Sequence, residues 1–211
     1  MLKKVTWPIA LQRTCVLVVD MQGIFCNPDE PLYVPSTKNI IQPIHELTSL
    51  AREKGMPVVY LRHVVRGDGS DTGRFKDLYP DADFQFSRDN VAIDVIDELY
   101  PHAQDIVVDK LFYSGFHNTD LDAILRMKDI DTIIVCGTVT NVCCETTIRD
   151  GVHREYKMIA LSDANAAMPY PDMGFGEVTA EDVQRIALSA IAYEFGEVTT
   201  TQDILLRIAD A

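Results

Sequence analysis

Three residues in this chain carry the side-chain chemistry of a base, a cation and a nucleophile, and each follows a short apolar run. Asp20 comes after Cys15 to Val19, Lys110 after Ile106 to Val108, and Cys143 after Ile133 to Cys136. A carboxylate can take a thiol proton, an ammonium can favour the anionic form of that pair, and the sulfur can then attack an electrophilic carbon. The stretch around the cysteine, DTIIVCGTVTNVCCETTIRDGVHREY from Asp131 to Tyr156, passes through Gly137 to helix-start chemistry at Thr140 and Asn141. It reads as strand, tight turn and helix. A thiol at such a turn meets unpaired N–H groups and the positive end of the helix dipole, which favour the thiolate. The same N–H groups can form an oxyanion hole. Taken singly, each residue has a plainer reading: a free cysteine packs as a small hydrophobe, an Asp after a strand caps a turn, and a strand-end Lys is a solvated charge.

What would bring the three together is the set of elements that carry them. Runs that are apolar at every position read as strands covered on both faces of a parallel sheet. Such runs occur at Cys15 to Val19, Val58 to Leu61, Ile106 to Val108, Ile133 to Cys136 and Met158 to Leu161, with a short last strand at Glu197 to Thr199. Between them, helical spacing predicts a helix capped by Ser36 and running to about Lys54, with Ile40, Ile44, Leu47 and Leu50 on one face. Further helices are expected over Ile93 to Leu99, from Asn118 with Leu121, Ile124 and Leu125 inward, over Thr179 to Phe195 with Val183, Ile186, Ala187 and Ala190 inward, and through Leu205 and Ile208. Strands alternating with helices, without hairpin signals between them, predict an α/β fold: a doubly wound, mostly parallel, Rossmann-like three-layer sheet of about six strands with helices on both faces. In such a sheet Asp20, Lys110 and Cys143 converge above the C-terminal edge if their strands are neighbours. The Gly-, Asp- and Arg-rich segment from Val64 to Asn90 reads as a long surface excursion able to cover the site.

The 211 residues, 47% of them hydrophobic, suit one domain over 1–211 with a single sizeable core. A formal charge of −13 from 19 basic and 32 acidic residues disfavours nucleic acid or an anionic membrane as a partner. The absence of a long apolar run, and five cysteines without CxxC pairs, predict a cytoplasmic protein with reduced thiols. Neither a GxGxxG nor a GxxxxGK[ST] sequence is present, so no nucleotide cofactor is expected. His63, at the end of the second strand, lacks an Asp-x-His pair or a second nearby histidine, so it reads as a hydrogen-bonded histidine and no metal is predicted.

With these residues in hand, the chain resembles the isochorismatase-like superfamily of cysteine hydrolases over nearly its whole length. The segments VLVVDMQ around Asp20, DKLFYSGFHNTDLDAILR from Asp109, and GTVTNVCCETTIRDG around Cys143 match that family's motifs in order and spacing. The resemblance implies a catalytic triad of Asp20, Lys110 and Cys143, with Cys144 turned into the core. It also implies a cis peptide at Thr138-Val139, and an oxyanion hole from the backbone N–H groups of Val139 and Cys143. Cleavage of a small amide through a thioester, or of a ureido or carbamoyl compound through a thiocarbamate, is the activity it implies, without a cofactor. The chain is most similar to the ureidoacrylate amidohydrolase and N-carbamoylsarcosine amidase side of the superfamily, whose members assemble as dimers or tetramers.

Gln22 and Phe25, and Tyr113, Phe116 and His117, are expected to flank the triad and bind substrate. The alternatives are a nicotinamidase-like or other amide or ester hydrolase, and a non-enzymatic thiol-based redox or binding protein. The missing Asp-x-His motif counts against nicotinamide. Adjacent Cys143 and Cys144, which could pair only through a strained ring, count against the redox reading.

Overall fold

The computed structural model describes residues 4–211, so residues 1–3 of the expected domain lie outside the described residues. Six strands form one sheet: β1 (Thr14–Val19), β2 (Val58–His63), β3 (Ile106–Lys110), β4 (Thr132–Thr138), β5 (Lys157–Ala166) and β6 (Glu197–Thr199). Their order is β3-β2-β1-β4-β5-β6, and every pairing is parallel. The apolar runs form the strands because both sheet faces are covered. Val16 and Val18 of β1 enter one core cluster, and Cys15, Leu17 and Val19 enter the other. At about 2 kcal/mol for each fully buried aliphatic side chain, this two-sided burial is the main force that sets the sheet.

The helices are α1 (Gly23–Cys26), α2 (Thr37–Glu53), α3 (Phe75–Leu78), α4 (Ala82–Gln85), α5 (Leu121–Met127), α6 (Glu145–Val152), α7 (Ala180–Ala190) and α8 (Thr201–Ala209). Ile40, Ile44, Leu47 and Ala51 of α2, with Ile204 and Ile208 of α8, cover one sheet face. Leu121 and Leu125 of α5 and Ile148 of α6 cover the other. Among the described residues no helix is long and apolar enough to cross a membrane.

Several elements differ from the sequence reading, each for a local reason. The helix expected over Ile93 to Leu99 is two 3-10 turns, Val91–Ile93 and Asp97–Leu99. Its backbone is committed elsewhere, with Gly23 N–H donating to Asp94 C=O and Ile96 N–H to Met21 C=O. Ser36 precedes α2 but caps nothing; its hydroxyl donates to Ala167 C=O at 3.4 Å. The helix expected from Asn118 begins at Leu121, because Asn118 sits at φ 55°. Strand β5 runs past Leu161 to Ala166 through a register shift opposite Val135 and Gly137, where the Asn165 amide donates to Val135 C=O and Leu161 C=O. The last turn of the α7 region, Ile191–Phe195, is π-helical, and Ile186 is exposed rather than inward.

The segment from Val64 to Asn90 is more than a surface excursion. It holds α3 and α4 and packs Val65, Phe75, Ala82 and Phe86 against Ile24 and Phe25 in a third apolar cluster. Val65 exchanges backbone hydrogen bonds with this segment's far end, accepting from Arg88 and donating to Phe86.

Gly137 marks a close approach of β4 to β1, at φ 123°, and a Cβ there would lie 2.1 Å from Val19 C=O. Gly137→Ala is expected to destabilise the fold by about 3 kcal/mol, since both the contact and the backbone angle oppose a side chain. Urea denaturation measures this, and a loss below about 1 kcal/mol would show that the β1–β4 seam relaxes freely.

Candidate active site

The strand order reverses between β1 and β4, which opens a crevice at their C-terminal ends. Asp20 leaves β1 at φ 49°, fully buried, its N–H donating to Leu61 C=O at 3.0 Å. Lys110 is the last residue of β3 and lies in register with His63 of β2. Its long side chain therefore has to pass the end of β2 to reach Asp20. The ammonium Nζ ends 2.8 Å from Asp20 Oδ2, 3.0 Å from Phe112 C=O and 3.6 Å from Cys143 Sγ. Cys143 is delivered by β4 through the Thr138-Val139 peptide, which is cis, and a π-helical turn, Thr140–Cys144, that leads into α6. Cys144 packs with Ile148 in the core beneath.

Electrostatics correct the expectation of a preformed thiolate. Burial is the largest influence on Cys143 and, despite the Lys110 charge, pushes its thiol up to about 12. Burial likewise raises the Asp20 carboxyl against the opposing pull of Lys110. For Lys110, burial disfavours the charge, but the attraction of Asp20 and Cys143 outweighs it and the pKa rises. The physical reason is a count of charges. One ammonium compensates one anion, and a second anion in the same buried space has no counter-charge. Asp20 and Cys143 therefore share one proton, as carboxylate and thiol or as carboxylic acid and thiolate. The Asp20 carboxylate pairs with Lys110 at 2.8 Å and lies beside the Cys143 thiol, placed to take its proton.

The Val139 carbonyl accepts from the N–H groups of Val142 at 3.0 Å and Cys144 at 3.2 Å. The N–H groups of Val139 and Cys143 are not among these donors, and both residues line the cavity beside the thiol. That cavity is small, about 40 Å³, room for about one water. Phe25 and Leu32 from the loop after β1 line it, with His63 at the end of β2 and Tyr113 after β3. The Val64 to Asn90 segment contributes Phe75, Tyr79 and Phe86, and Val142 and Met168 complete the wall. A wider groove of about 560 Å³, lined by residues such as Asn27, Asp94 and Tyr100, contains no triad residue.

Of the residues expected to bind substrate, Phe25 and Tyr113 line this cavity and Gln22, Phe116 and His117 do not. The Gln22 amide is consumed by backbone: it accepts from His63 N–H at 2.8 Å and donates to His63 C=O at 3.1 Å and Ile93 C=O at 2.5 Å. Phe116 stacks on Tyr156 in the core, with ring centroids 5.6 Å apart, and His117 is exposed against the edge of Phe112. His63, expected as a hydrogen-bonded histidine, is one. Its ring stacks on Phe86 at 4.3 Å, and its Nε2 lies 3.1 Å from Leu111 C=O, an acceptor, so Nε2 carries the proton. Burial, and then the Lys110 charge, hold its pKa well below the usual imidazole range, so the ring is neutral. Among the described residues, no group of three or more His, Cys, Asp or Glu side chains is arranged to hold a metal ion. The aromatic content of the covering segment was the one sequence signal that could have found Phe75, Tyr79 and Phe86.

Residues 14–203 match the isochorismatase domain family. The ureidoacrylate amidohydrolase RutB of Azorhizobium caulinodans is 32% identical over 214 residues, covering 92% of this chain and 90% of that protein. A cysteine hydrolase from Pseudomonas syringae pv. phaseolicola is 65% identical and superposes with a TM-score of 0.98, covering 99% of this chain and 98% of its own. The N-carbamoylsarcosine amidase of Thermoplasma acidophilum is 26% identical with a TM-score of 0.72, covering 90% of this chain and 96% of its own.

A resting thiol has a spectroscopic consequence. The difference in ultraviolet thiolate absorbance between wild type and Cys143→Ala is expected to be absent at neutral pH. It should grow only as pH rises toward about 12. A thiolate band already present at neutral pH would overturn the carboxylate-and-thiol form as the resting state.

Proposed function

The chain belongs to the isochorismatase family, and from that premise we propose that it is a cysteine-dependent amidohydrolase cleaving the C–N bond of a small amide, ureido or carbamoyl compound. The observation that carries this reading is the buried contact set of Lys110, 2.8 Å from Asp20 and 3.6 Å from Cys143, with Cys143 opening onto a small cavity. The names of the relatives, a ureidoacrylate amidohydrolase and an N-carbamoylsarcosine amidase, support ureido and carbamoyl chemistry.

In this mechanism the substrate carbonyl lies against Cys143 Sγ. As the S–C bond forms, Asp20 takes the thiol proton, so the charge moves to the carbonyl oxygen rather than accumulating on sulfur. The N–H groups of Val139 and Cys143 receive that oxyanion, and Lys110 stays an ammonium throughout, neutralising whichever partner is negative. Protonated Asp20 then gives its proton to the leaving nitrogen as the C–N bond breaks. What stays on the enzyme is a thioester, or a thiocarbamate from a ureido substrate. Water enters, Asp20 removes its proton as the oxygen attacks, and the departing sulfur is reprotonated. The largely aromatic wall strengthens each of these electrostatic contacts by limiting other water.

Ammonia release from a panel of small amides and ureido compounds tests the reading. Wild type is expected to turn over at least one of them, and Cys143→Ala to lose about 1000-fold or more. Asp20→Asn is expected to lose activity to a similar extent, and intact-protein mass spectrometry should show no acyl group on the chain, because both thiol deprotonation and protonation of the leaving nitrogen need the base. Equal release by wild type and Cys143→Ala would sink Cys143 as the nucleophile.

A further inference from the structure

The cavity wall has a chemical character that the triad does not require. Phe25, Leu32, Phe75, Phe86 and Met168 are apolar, and the polar members are two tyrosines and His63. We propose, resting on the amidohydrolase reading, that the site takes uncharged amides or ureas and rejects their carboxylate-bearing counterparts, because its wall offers a substrate anion no counter-charge; in this it departs from the two relatives, whose named substrates, ureidoacrylate and N-carbamoylsarcosine, carry a carboxylate.

Three observations support this. The nearest cation, Lys110 behind Cys143, is fully buried, does not line the cavity, and is already engaged by the Asp20 carboxylate at 2.8 Å, Phe112 C=O at 3.0 Å and Cys143 Sγ at 3.6 Å. A substrate carboxylate beside it would be the second anion sharing one ammonium, the same imbalance that keeps Cys143 protonated. The guanidinium groups of the covering segment face solvent instead: Arg66, Arg74 and Arg88 have side chains 69%, 94% and 65% exposed, and each lies beside an aspartate, Asp71, Asp77 and Asp109.

The third observation is His63. With Nε2–H donating to Leu111 C=O, the nitrogen left to the ring is Nδ1, a lone-pair acceptor. Burial and the Lys110 charge keep the ring from becoming a cation, and burial raises the phenols of Tyr79 and Tyr113, so they stay neutral as well. A wall of aromatic faces and neutral dipoles complements the N–H groups and flat π system of an amide or urea. It gives a carboxylate nothing in exchange for its lost hydration. At about 40 Å³ the cavity is smaller than such a substrate, so a substrate enters by displacing part of the aromatic wall.

Matched substrates of equal shape test the proposal: 3-ureidopropionamide against 3-ureidopropionate, and fumaramide against fumaramate. For wild type, kcat/KM is expected to be at least about 100-fold higher for the neutral member of each pair. Comparable values, or a preference for the acids, would overturn charge selection while leaving the amidohydrolase reading intact. If wild type cleaves none of the four, that reading fails, and binding to Cys143→Ala by calorimetry decides the inference by itself. Tighter binding of the neutral members then supports it; binding of the acids at equal or greater strength, or of neither, overturns it.

Discussion

The structure depends on one buried ion pair, Lys110 with Asp20, held against a thiol. Each charge taken out of water costs several kcal/mol, and the pair survives only because its members meet at 2.8 Å with no solvent between them. Neither could be buried alone. The requirement reaches far into the fold: β3 must end at Lys110, β1 at Asp20 and β4 close to Cys143, at one edge of one sheet. The order β3-β2-β1-β4 meets it, with β2 as the spacer that a long lysine side chain can pass. Gly137, in register with Val19, lets β4 approach β1 closely at the point where both chains leave the sheet.

Charge balance at this pair also shapes the chemistry. A cluster with one cation holds one anion, so the proton that Cys143 gives up has to stay nearby, on Asp20. Acid–base work and nucleophilic attack are then a single coupled movement of charge over a short distance, and no free thiolate has to be stored. The aromatic wall contributed by the Val64 to Asn90 segment belongs to the same arrangement. By packing Phe75 and Phe86 against Phe25 and around His63, it keeps water from the pair and makes each contact stronger.

The family likeness and the site geometry describe this arrangement at different levels. Matching residues 14–203 to the isochorismatase domain accounts for the sheet and the three strand ends. The wall is carried largely by the segments that connect the strands, which can exchange side chains without disturbing the sheet.

The sequence by itself determined the sheet and the three chemical residues. Runs such as VLVV before Asp20 and IIVC before the Cys143 turn can be satisfied only by strands buried on both faces, and a residue that follows such a strand must emerge at its edge. Local pattern could not determine what depends on partners distant in the chain. Gln22 looked like a substrate ligand until the backbone of His63 and Ile93 took up its amide. The expected helix at Ile93 to Leu99 gave way to hydrogen bonds with the loop after β1. The thiolate expected from the helix dipole gave way to a thiol, because burial and charge count are properties of the assembled site. Which aromatic side chains close the cavity was likewise a tertiary decision: Phe75, Tyr79 and Phe86 meet Phe25 and His63 only when the covering segment folds back over the sheet edge, bringing together residues that no spacing rule relates.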